Sequence, residues 1–181
     1  MRYIKTILPT ALALGALLPL SPAQAADGTI NFRGSVTSQT CKASGNGGST
    51  SDFTVMLPNV SVVSLAVNGK TAGRTPFTIA LSNCNPKTGY VRAMFEAGTS
   101  VDSVTGRLRP DAGGAVNVQV GLANADFSDI KIGQTLASQN TAAVTLVDGN
   151  ATLRYFAQYV ATGAAGSGAV NTRVTYVLVY D

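Results

Sequence analysis

The stretch Val174-Thr175-Tyr176-Val177-Leu178-Val179-Tyr180-Asp181 closes the chain and decides its fold class. Val174, Tyr176, Leu178 and Tyr180 recur with period two, the spacing that lines one face of an extended strand. Val177 and Val179 make the opposite face partly apolar as well. Neither proline nor charge interrupts this run before Asp181, so it reads as the long apolar edge that soluble sheets usually blunt. Such an edge predicts a partner that adds a strand.

The same period recurs upstream, broken at short intervals by Gly, Asn, Ser and Asp clusters, which is an all-β pattern. The expected strands are Thr29–Val36, Phe53–Leu57, Thr75–Ser82, Tyr90–Glu96, Ala115–Ala123, Ala143–Val147, Ala151–Ala161 and Val170–Tyr180. Val60–Leu65 reads either as a strand or as a short turn of helix. Turn-forming residues occupy Ser44–Ser51, Asn83–Gly89, Asp111–Gly114, Asp148–Asn150 and Gly163–Gly168. The last of these lacks the Gly-Lys-Ser/Thr ending of a phosphate loop and reads as a hairpin connection. Several short strands at this spacing predict a sandwich or a barrel.

At the other end, basic Arg2 and Lys5 precede an apolar run from Ile7 to Leu20 and the small-x-small triplet Ala23-Gln24-Ala25. That order has the form of a secretory leader, residues 1–25, cleaved after Ala25. The apolar run holds Pro9 and Pro19 and falls short of the roughly 20 residues a spanning helix needs. The remaining length suits one domain. Without Arg2 and Lys5, eleven basic residues face nine acids, so nothing points to a nucleic-acid partner. Two cysteines, Cys41 and Cys84, in an exported chain read as one disulfide, the alternative being two free buried thiols.

The sequence offers little catalytic chemistry. It contains no histidine, which removes the commonest general base, the commonest zinc ligand and the Ser-His and Cys-His nucleophile pairs. Asp126 and Asp129 are close in sequence but lack the spacing of a calcium loop, and read as solvated loop carboxylates. No catalytic residue, metal site or cofactor is assigned.

Gly28, Ile30, Phe32, Gly34 and Val36 fall on one face of an extended segment, apolar with a glycine notch. By pattern alone this is a first strand of the sandwich. The sharper reading comes from a resemblance to the pilin subunits of chaperone–usher fimbriae, particularly the type 1 fimbrial family. It rests on Ala-Asp-Gly-Thr-Ile-Asn-Phe-Arg-Gly-Ser-Val from Ala26 to Val36, followed by Cys41. Ala72-Gly73-Arg74-Thr75-Pro76-Phe77-Thr78-Ile79-Ala80-Leu81 leading to Cys84, the penultimate Tyr180 and Gly168, fourteenth from the end, complete it.

The resemblance implies an incomplete Ig-like β-sandwich that lacks its seventh strand, with residues 26–40 as a donor extension and residues 41–181 as the pilin domain. The subunit would be exported through the periplasm, where a periplasmic chaperone would fill the open groove, and would reach a cell-surface fimbria by way of an outer-membrane usher. The extension of an identical or related pilin subunit would then replace the chaperone, a form of β-augmentation. Gly28, Ile30, Phe32, Gly34 and Val36 would enter the neighbour's pockets, with Gly34 at a shallow one. Gly168, Val174, Tyr176, Leu178 and Tyr180 would belong to the receiving strand. Tyr155, Phe156 and Tyr159 read as core and inter-subunit packing. A short extension leaves a shaft and an adaptor role both open. The competing reading is a self-contained secreted binding module, such as a carbohydrate-binding sandwich, in which Ala26 to Val36 is simply strand one. The absence of tryptophan weighs against it.

Overall fold

A computed structural model describes residues 40–181 of the chain; the expected leader, the strand Thr29–Val36 and all of the donor extension but Thr40 lie outside the described residues. Ten strands are described: β1 (Thr40–Gly45), β2 (Thr71–Asn85), β3 (Gly89–Phe95), β4 (Val101–Asp102), β5 (Arg107–Leu108), β6 (Val118–Asn124), β7 (Asp129–Ile130), β8 (Val144–Leu146), β9 (Ala151–Ala161) and β10 (Tyr176–Tyr180). The larger sheet runs β1-β2-β9-β6-β5-β4, with β7 also on β6, and the smaller runs β10-β3-β8. Every pairing is antiparallel.

Alternation along each strand builds one core between the two layers. Phe77, Ile79 and Leu81 of β2, Val120 and Leu122 of β6, and Leu153, Tyr155 and Ala157 of β9 meet Val91, Ala93 and Phe95 of β3 and Leu146 of β8. Phe53, Phe77, Tyr155 and Phe95 form a chain of aromatic contacts across it, with successive centroids 6.1, 5.5 and 5.4 Å apart. Gly45 makes the first contact possible, because a Cβ there would lie 1.9 Å from Phe53 Cδ1. Cys41 and Cys84 are joined, pinning β1 to β2 across a sequence separation of 43. In the chain-entropy model a loop of that length is worth about 4 kcal/mol.

The all-β expectation holds, and Ala151–Ala161 is β9 to the residue. Val60–Leu65 resolves as a short 3-10 helix, Val62–Leu65, with the Ser61 hydroxyl accepting from the Val63 N–H. Two expected strands change. Residues 53–57 keep their alternation, Phe53, Val55 and Leu57 half-buried and Thr54 and Met56 exposed, but form no ladder among the described residues. The last strand begins at Tyr176 rather than Val170, although alternation persists back to Val170. Both departures flank the same gap.

Candidate functional site: an open groove between two unpaired edges

Among the described residues β10 is the edge of the smaller sheet and pairs only with β3. The Tyr90 and Asp181 N–H groups exchange hydrogen bonds with each other's carbonyls, and the Glu96 N–H donates to the Thr175 carbonyl. Antiparallel pairs alternate between bonded and non-bonded, so Val177 and Val179 also bond toward β3. The main-chain groups of Tyr176, Leu178 and Tyr180 therefore point the other way, into a gap.

That gap is a groove of about 940 Å³ with residues 51–57 as one wall and residues 170–180 as the other. Its floor is core: Phe77, Ile79, Phe95, Val120, Leu122 and Ala157. Val174, Tyr176, Leu178 and Tyr180 pack against that core and stay half-buried, while Arg173, Thr175 and Val177 between them are exposed. The groove is thus apolar below and lined on one side by unpaired main-chain donors and acceptors.

Tyr176 bridges the two walls: its hydroxyl donates to the Ser51 carbonyl at 3.0 Å. An extended tyrosine and one hydrogen bond reach at most about two interstrand spacings, roughly 9.5 Å. The groove at this point is no wider than a single inserted strand. Burial, and then the neighbouring Asp52 charge, raise the Tyr176 pKa, and burial raises that of Tyr180.

Of the residues assigned to the receiving strand, the structure brings Val174, Tyr176, Leu178 and Tyr180 together along one wall. Gly168 lies outside β10 and is not among the groove-lining residues; it presses against the loop before β6, where a Cβ would sit 2.7 Å from the Ala115 nitrogen. The second wall, Phe53, Val55 and Leu57, was visible in the sequence as a strand, but nothing there marked it as lacking a neighbour.

Elsewhere the structure accounts for the other residues singled out. Asp126 accepts from the Ser128 N–H at 2.9 Å and from its hydroxyl, which lowers its pKa. Asp129 faces Arg107 at 3.9 Å. Tyr155 is core, Tyr159 packs beside it, and Phe156 stacks with Phe127 on the outer face at 4.9 Å. No cluster of metal-ligating side chains occurs among the described residues.

Comparison with known proteins agrees with this geometry. The family model described as type-1 fimbrial protein, A, matches residues 57–181. The chain is 46% identical to the F17 fimbrial protein of Escherichia coli, over 86% of this chain and 88% of that protein. It is 45% identical to the major fimbrial subunit SMF-1 of Stenotrophomonas maltophilia, over 92% of this chain and 99% of that protein. A chain from the structure of a chaperone–usher pilus shares the fold at a TM-score of 0.59, with 22% identity, over 91% of this chain and all of that one. An Ig-like sandwich left open along β10 is therefore joined to a matching sequence over most of its length, and the chain belongs to the type-1 fimbrial protein A family as a subunit of a cell-surface fimbria.

Proposed function

We propose that this subunit polymerises by donor-strand exchange: within the extension of residues 26–40, the stretch Gly28–Val36 of one copy completes the groove of the next, after removal of a leader spanning residues 1–25. The observation that carries the reading is the coincidence of three features on β10: a half-buried apolar face, a main-chain edge unpaired among the described residues and a gap no wider than one strand at Tyr176. Gly28, Ile30, Phe32, Gly34 and Val36 supply the complementary alternating face. Burying Ile30, Phe32 and Val36 is worth roughly 1.5–3 kcal/mol each, before the new ladder bonds.

The role is structural rather than catalytic. A groove exposed before assembly would need cover in the periplasm, which a chaperone strand supplies and an outer-membrane usher exchanges. The 45% identity to a major fimbrial subunit along nearly all of that protein supports a place in the shaft.

Heating separates the two models. The intact chain is expected to give a heat-sensitive ladder in SDS, and a chain lacking Ala26 to Val36 a monomer that the deleted segment, added as a peptide, stabilises. Gly34→Leu should abolish the ladder. A lone monomer band from the intact chain, with a stable truncation indifferent to peptide, would return the secreted binding module to first place.

A further inference from the structure

Among the described residues, six of the ten large apolar side chains left exposed lie at the two ends of the domain, the others being Met56, Val104, Phe127 and Val177. Val62, Val63, Val67 and Val116 are exposed at the end where β2 begins and β9 finishes. The Ala165 N–H donates to the Leu65 carbonyl there, and Gly166 to Val116, which brings these loops together beside Val170 and the mouth of the groove. Tyr90 and Val147 are exposed at the opposite end, where β1 starts, the Gly149 carbonyl accepts from the Cys84 N–H and Asp181 meets Tyr90.

We propose that these two ends form a second, apolar contact between consecutive copies of this chain, end to end; the inference rests on the donor-strand reading above. Every pairing in the domain is antiparallel, so the strand that completes the groove runs opposite to β10. Its last residue, Val36, then leaves the groove at the Val170 end. Thr40 opens β1 of the donor's own domain after only three intervening residues, a span of at most about 14 Å. The tether is too short to hold the two bodies apart. It brings the Tyr90 and Val147 end of the donor onto the Val62, Val63, Val67 and Val116 end of the acceptor. The contact is heterologous, one end against the other, and repeats into a fibre with a single polarity.

Crosslinking of assembled fibres tests the polarity. Lys70 and Lys87 are exposed at opposite ends, and the 15-residue β2 between them separates the two by roughly 40 Å within one subunit. An amine crosslinker with less than half that reach can join Lys70 to Lys87 only between subunits. Abundant Lys70–Lys87 links are expected; links through Lys131 on the flank instead would overturn the proposal in favour of side-by-side packing.

The apolar contact has its own readout. Val63→Asp and Val67→Asp alter exposed side chains, so the ladder should still form but collapse to monomer at a temperature lower by about 5 °C or more. Val104→Asp, at a still more exposed position in the β4–β5 turn, should leave that temperature unchanged. A ladder that melts alike in all three variants means the ends meet without apolar contact, and the proposal fails while strand exchange stands. No ladder from the parent chain would sink strand exchange, and this contact with it.

Discussion

β9 and β10 carry the same instruction and meet different fates. Leu153, Tyr155 and Ala157 of β9 alternate as Tyr176, Leu178 and Tyr180 of β10 do, yet the first three are at most 4% exposed and the second three remain half-buried. β9 lies between β2 and β6, whereas β10 has β3 on one side and the groove on the other. Alternation fixes which face turns inward. How deeply that face is buried depends on the number of neighbours, and for β10 one neighbour is missing from the chain's own described domain.

The largest test of this contrast is a pair of truncations in the chain lacking Ala26 to Val36. Leu153→Ala opens a cavity in a closed region and is expected to cost about 2–5 kcal/mol in urea unfolding. Leu178→Ala removes a side chain that is still half solvated and should cost roughly half as much. Adding the Gly28–Val36 peptide should raise the Leu178→Ala cost toward that of Leu153→Ala and leave the latter unchanged. Equal costs without peptide would break the comparison.

A smaller effect separates the same strands at alkaline pH. Burial pushes the Tyr155 hydroxyl up to about 12, and the Ala93 N–H donates to its oxygen at 3.4 Å. An unfolded tyrosine ionises near 10. The folded state holds its proton longer, so this group's contribution is intact below pH 10 and is lost as pH rises from 10 to 12, roughly 2–3 kcal/mol in all. Tyr155→Phe should flatten the alkaline limb of stability against pH. Tyr176 and Tyr180 are raised by the same cause to a lesser burial. A bound donor strand should push both further up and steepen that limb, measured as unfolding free energy between pH 9 and 12. An unchanged limb would mean the strand leaves these hydroxyls in water.

What the sequence disclosed follows the same division. Period-two runs located β9, β3 and the core of β2, because alternation against a packed sheet is a local property. The apolar face and bare edge of β10 were also readable, since nothing charged interrupts Val174 to Tyr180. The two-residue strands β4, β5 and β7 were not, being too short to show a period. Residues 53–57 had the period but no ladder among the described residues, and only the structure shows that they and β10 line the same groove. The close approach of Gly168 to Ala115 was not readable either, because it joins two loops far apart in sequence.

The smallest effect concerns the bar across the groove. Tyr176 and Ser51 lie on opposite walls, and the bond between them spans the space a donor strand would enter. Tyr176→Phe removes the hydroxyl and keeps the ring, so the apolar lining is preserved while the walls lose their one direct link at this point. A hydrogen bond of this kind contributes about 1 kcal/mol. Stopped-flow binding of the Gly28–Val36 peptide to the truncated chain should therefore accelerate a few-fold in Tyr176→Phe. Dissociation should slow little, because the bound strand already holds the walls apart. Unchanged association would mean that the groove stands open in solution and that β10 waits for its neighbour without a bar to displace.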